Sequence, residues 1–85
     1  MPTVFRRDGY RFFFFSDEGN PREPPHIHIR KGGGDAKFWL DPDVAVARSL
    51  GFNATELNVL ARVVRQEKRR IERVWNDHFG DSGQV

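Results

Sequence analysis

The sequence of 85 residues contains no cysteine. That absence excludes a disulfide-stapled secreted module, a thiolate metal site and a cysteine nucleophile. Long apolar stretches are missing too. The longest run is the four phenylalanines of residues 12–15, whereas a membrane-spanning helix needs about 20 apolar residues. The charged opening, residues 1–8, leads into no secretory apolar region, so a cytoplasmic location is expected. There is no phosphate-loop motif, no nucleophile-elbow serine and no helical zinc-binding histidine pair. Ser16, Ser49 and Ser82 lack neighbours that would activate a hydroxyl, and Gly32-Gly33-Gly34 reads as turn material. The length excludes a multidomain enzyme, and a composition that is 38% hydrophobic excludes a disordered tail.

What remains is one small domain over residues 1–80, with residues 81–85 as a frayed tail. Residues 3–40 show short period-two patterns broken by turn residues, which predicts antiparallel strands. Residues 3–6 and 10–15 flank a turn at Arg7-Asp8-Gly9, and residues 26–30 and 36–40 flank the glycine loop. Residues 44–47 form a fifth, weaker strand. Residues 16–25, with three acids, Asn20-Pro21 and Pro24-Pro25, read as an extended mobile connection. Asn53 and Glu56 form a capping-box pattern, with Phe52 set to pack on Leu57. From there Leu57, Leu60, Ala61, Val64, Ile71, Val74, Trp75 and Phe79 recur at helical spacing up to Gly80. The expected fold is α+β: a small antiparallel sheet of four to five strands packed against one long C-terminal helix.

Two features point to a partner. Phe12 and Phe14 face one side of their strand while Phe13 and Phe15 face the other, and one helix covers only one side. A helix of about 25 residues also spans roughly 37 Å, against about 17 Å for a five-residue strand. A homo-oligomer or a small protein partner encoded in the same operon is expected, with no membrane association. Glu67 falls among Val64, Ile71 and Val74 on the sheet-facing side of the helix, so it requires a partner such as Arg30, Arg11 or a histidine.

The segment Pro24-Pro25-His26-Ile27-His28-Ile29-Arg30 carries the candidate chemistry. Alternation sets Ile27 and Ile29 on one face and His26, His28 and Arg30 on the other, with the two imidazoles about 6.6 Å apart along the strand. Such a pair supplies two metal ligands, with a third from Asp17, Glu18, Glu23, Asp41 or His78. Alternatively one ring acts as base and the other as acid on a phosphodiester that Arg30 or Lys31 holds, a ribonuclease-like arrangement. The plainest reading is that both rings pack on Trp39 across the hairpin. The residues specify no cofactor.

The net charge is +2, and residues 53–79 hold six cations against four acids, so the excess lies there. Arg62, Arg65, Arg69 and Arg73 fall within about 80° of one another on the helix, opposite its apolar face. They form a basic stripe for RNA, DNA or an acidic partner, weighed against an ordinary solvated face.

The opening Met-Pro-Thr-Val, the Pro24-Pro25-His26-Ile27-His28 motif, Ala36-Lys37-Phe38-Trp39-Leu40-Asp41, and Arg70-Ile71-Glu72-Arg73-Val74-Trp75 leading to His78-Phe79-Gly80 resemble one family along nearly the whole chain. It is the small bacterial "domain of unknown function 4160" family. The resemblance implies no reaction. It implies a component of a two-gene module beside another small protein, akin to toxin–antitoxin pairs, and it carries over His26 and His28 as motif positions. The residue 12–15 run departs from the family pattern by its apolarity. The leading expectation is therefore a toxin–antitoxin-like interaction protein. The alternative is a small hydrolase using His26 and His28, with or without a metal.

Overall fold

The computed structural model describes residues 3–15 and 23–80. The alternating segments become five antiparallel strands: β1 (Thr3–Arg7), β2 (Tyr10–Phe13), β3 (His26–Lys31), β4 (Gly34–Trp39) and β5 (Ala45–Leu50). They lie side by side in sequence order. Two helices follow, α1 (Ala54–Gln66) and α2 (Lys68–Phe79). The fold is α+β, and among the described residues no helix is long and apolar enough to cross a membrane. The expected tail at 81–85 and most of the expected mobile connection, residues 16–22, lie outside the described residues.

Turn chemistry sets the register. Arg7 pairs with Tyr10, leaving Asp8 (φ 52°) and Gly9 (φ 83°) as a two-residue loop with both residues in the left-handed region. That is the type I′ hairpin, whose twist matches its strands. In the next hairpin Lys31 pairs with Gly34, so only Gly32 and Gly33 form the turn. Gly34 belongs to β4, and a side chain there would collide with the Phe52 ring. Phe52 thus closes onto the sheet through a glycine, with Tyr10 at 5.8 Å between ring centres. The Asp41-Pro42 bond is cis.

The fifth strand runs three residues further than the sequence pattern indicates, because Gly51 (φ 82°), and not Leu50, makes the turn. A Cβ at Gly51 would meet the Gly33 carbonyl oxygen at 2.8 Å. The second strand, in turn, stops at Phe13 and not at Phe15.

One face of the sheet carries the core. Phe5, Phe12, Ile27, Ile29, Ala36, Phe38 and Leu40 are buried with Leu60, Val64, Ile71 and Trp75 of the helices. Phe5 and Phe12 are directly opposed in register and stack at 4.3 Å. The helical start is as expected: Asn53 Oδ1 accepts from the Glu56 N–H at 2.8 Å, and Glu56 Oε1 accepts from the Asn53 N–H at 3.0 Å. These reciprocal bonds satisfy two otherwise orphaned donors.

The single long helix is not observed. The chain bends at Glu67 (φ −101°, ψ 11°) and continues as α2. Helical hydrogen bonding spans the bend, from the Glu67 N–H to Val63 and from the Ile71 N–H to Glu67, both at 2.9 Å. No proline or glycine stands there. The break falls where the apolar stripe is interrupted by a carboxylate, which Arg7 of β1 holds at 2.9 Å and Arg70 at 3.5 Å. The partner of Glu67 is therefore Arg7, not Arg30, Arg11 or a histidine. Local periodicity does not reveal a contact across 60 residues.

This pair sets a pH dependence. The hydrogen bond from Arg7 is the main cause that holds the Glu67 carboxyl below its ordinary range, against an opposing effect of burial and with help from Arg70. A carboxyl lowered on folding stabilises the fold above its unfolded pKa, and that contribution disappears as pH falls through the lowered folded value. Glu67→Gln should therefore cost about 1 kcal/mol at neutral pH, the upper range for a partly exposed pair. Thermal melts of the two proteins should converge in acid.

Candidate functional site

The zigzag of β3 places the histidines as the alternation requires. Ile27 and Ile29 enter the core, and the His26 and His28 rings sit 5.2 Å apart at 87° to each other. The strand's entry is fixed by the prolines: the Pro25 carbonyl accepts from the Leu40 N–H at 3.0 Å. The Pro24 carbonyl lies 2.9 Å from His26 Nδ1, so that nitrogen donates and carries the proton.

Both rings are enclosed: His26 is 0% exposed and His28 3%. His26 packs edge-on to Trp39, its cross-strand partner, at 5.6 Å and to Trp75 of α2 at 5.0 Å. His28 does not reach Trp39 in this way. Its cross-strand neighbours are Lys37 and Phe13, and its ring stacks on Phe13 at 5.5 Å and meets Phe15 edge-on at 4.7 Å. The imidazoles thus form the centre of an aromatic cluster. Phe13 is fully buried there beneath the Arg11 and Arg30 guanidiniums, 4.5 and 5.2 Å from its ring centre. Cation–π contact and arginine stems cover this side of the phenylalanine run within one chain.

Arg30 stands exposed at the rim, with Asp35 Oδ2 at 3.7 Å from its Nη2. Among the described residues no group of three or more His, Asp or Glu side chains is arranged to hold a metal ion. Of the third ligands considered, Asp17 and Glu18 lie outside the described residues. Glu23 pairs with Lys37 at 3.1 Å, Asp41 with Lys68 at 3.5 Å, and His78 packs on Phe79.

Arg62 and Arg65 of α1 and Arg69 and Arg73 of α2 are all exposed. The stripe crosses the bend at Glu67. No ion pair among the described residues engages any of the four.

Two surfaces escape sequence reading. The first is the edge of the sheet at β5. All six of its residues are exposed, Val46 at 43% and Leu50 at 72%. A low-charge run of small and β-branched residues signals a strand, but only topology shows that no strand among the described residues pairs with its far side. The second is the sheet face turned away from the helices, where Arg6, Arg11, Arg30, Lys37 and Arg48 become neighbours through cross-strand register. These cations are scattered along the chain, so no charge run announces them.

A family model described as a domain of unknown function (DUF4160) matches residues 9–76, and the chain belongs to that family. No curated protein and no solved structure matches it.

Proposed function

We propose that this DUF4160 chain is the interaction component of a two-protein, toxin–antitoxin-like module that engages a small protein partner by strand addition at β5. The observation that carries the reading is the β5 edge, which no further strand among the described residues pairs with and which bears exposed Val46 and Leu50. An edge strand presents unpaired N–H and C=O groups at strand spacing, ready to template a partner strand. The safeguards of this edge are a bulge at Ala47, between the Lys37–Arg48 and Phe38–Val46 pairs, and the single charge of Arg48; there is no proline. The partner strand gains main-chain hydrogen bonds, and Val46 and Leu50 supply the apolar contacts. The arginine stripe of Arg62, Arg65, Arg69 and Arg73 adds long-range attraction for an acidic partner.

A second reading, a small hydrolase or ribonuclease-like enzyme built on His26 and His28 with Arg30, draws on the 5.2 Å approach of the two rings. Their enclosure supports the packing role instead, because a general acid or base needs hydrogen-bond reach to its substrate.

The test is co-expression with the product of the adjacent gene, followed by affinity purification. The wild-type chain should bring down that partner stoichiometrically. Val46→Lys with Leu50→Lys, both at exposed positions, should leave the melting temperature within a few degrees and weaken the complex at least tenfold. Retention of the complex by a folded double variant removes the edge strand from the interface.

A further inference from the structure

Register brings like charges together on the sheet face opposite the helices. Arg6 of β1 lies directly opposite Arg11 of β2, which lies opposite Arg30 of β3. One row further along, Lys37 of β4 lies opposite Arg48 of β5. Like charges facing each other across strands are destabilising. The face contains three such pairs against one strand acid, Asp35, whose nearest approach to Arg30 is 3.7 Å. Asp35 lies directly opposite Arg30, but one carboxylate does not balance five cations. Lys37 is engaged by Glu23, but Arg6 and Arg48 are exposed and no ion pair among the described residues reaches them. Arg11 and Arg30 cover Phe13, but folding gains nothing from the charges of Arg6 and Arg48. A polyanion laid across the sheet does.

From this charge complementarity we infer that the outer sheet face binds single-stranded nucleic acid, with Arg6, Arg11, Arg30 and Arg48 contacting its phosphates. The row from Arg6 to Arg30 crosses three adjacent strands, a span of about 10 Å at ordinary strand spacing. Two of its guanidiniums are held over the Phe13 ring, and fixed guanidinium planes stack on unpaired bases as well as pairing with phosphate. Trp39, half-buried on the same face, adds an aromatic surface. Among the described residues the face presents strands and no helix, so a splayed single strand fits it better than the major groove of a duplex. An acidic protein would carry intermixed cations and meet the same repulsion. This inference shares Arg48 with β5 but rests on the charged side chains of the outer face and not on the pairing groups of the sheet's edge.

The test is fluorescence anisotropy with labelled 20-mers of uridine and of thymidine, a duplex of the same length, and polyglutamate, each over a salt series. The wild-type chain should bind the single strands more tightly than duplex or polyglutamate. Binding should fall steeply with salt, with a slope of about −0.7 for each phosphate contacted. Arg6→Gln, Arg30→Gln and Arg48→Gln together should lower affinity at least tenfold and reduce the slope by about 2, the loss of three contacts. Arg6→Gln and Arg48→Gln without the Arg30 change should leave the melting temperature level or raise it, since they relieve repulsion, whereas Arg30→Gln also gives up contacts to Phe13 and Asp35. A charge that served folding would lower it. Arg48→Gln alone should weaken binding two- to threefold and keeps the test decisive if the triple variant misfolds. Arg65→Gln with Arg69→Gln and Arg73→Gln on the helices should change affinity less than twofold. A difference between the uridine and thymidine strands assigns RNA or DNA. The inference is overturned if neither strand binds at low salt, if the sheet variants bind as the wild type does, if the helix variants lose binding instead, or if polyglutamate binds as tightly as the oligonucleotides.

Discussion

Trp75→Ala should destabilise the fold by about 3–5 kcal/mol, the range for deleting a large aromatic side chain from a core. Trp75 is 1% exposed and meets Phe79 at 4.3 Å, His26 at 5.0 Å and Phe14 at 5.1 Å. It connects α2, the end of β2 and the start of β3, three segments with no backbone pairing between the helix and the strands. The whole domain, at roughly 0.05–0.15 kcal/mol per residue, has only about 4–13 kcal/mol to lose. The expected result in urea is a much lower midpoint, or a chain largely unfolded at body temperature. A loss below about 1 kcal/mol would mean that α2 does not depend on this contact. Trp75→Phe, which retains an aromatic ring, should recover part of the loss.

The second large effect lies at the histidines. His26→Ala should cost about 2–4 kcal/mol, somewhat less than a phenylalanine truncation, because a smaller ring leaves a smaller cavity. It loses edge-on contacts to Trp39, Trp75 and His28 together with the Nδ1 hydrogen bond to Pro24. His28→Ala should fall in the same range, since it uncovers Phe13. These magnitudes affect how any activity experiment is read. Alanine at both positions removes enough stability that loss of function cannot be assigned to chemistry. His28→Phe is the informative substitution, because it retains a ring between Phe13 and Phe15 while abolishing proton transfer and metal ligation. The packing role predicts that His28→Phe folds and retains partner binding. RNA cleavage by the wild type that disappears in a folded His28→Phe protein would instead establish the hydrolase reading.

Much of the fold is legible along the chain because its determinants are local. Asp8-Gly9 specifies a tight hairpin through positive φ, Asn53 and Glu56 specify the helix start, and Ile27 and Ile29 specify which face of β3 enters the core. The helix bend is not legible, because it coincides with a carboxylate whose partner Arg7 is 60 residues away. The full extent of β5 is hidden by Leu50, an apolar residue before a glycine that resembles the close of a loop; the strand continues because Gly51 packs against the Gly33 carbonyl. The same separation governs the site. Adjacency of His26 and His28 follows from period-two geometry, whereas their enclosure depends on Phe13, Phe15, Trp39 and Trp75 arriving from three other segments. The arginine rows of the outer face exist only once register is known.

Amide hydrogen exchange on β5 tests the central claim most directly. In the isolated chain the outward-facing amides of Ala45–Leu50 have no strand beyond them among the described residues and should exchange rapidly at every protein concentration. In the complex with the co-expressed neighbour they should slow at least a hundredfold, while the amides of α1 and α2 change little. Complex formation that leaves β5 exchange unaltered and protects the helices instead would contradict strand addition, as would protection of β5 that grows with the concentration of the chain alone.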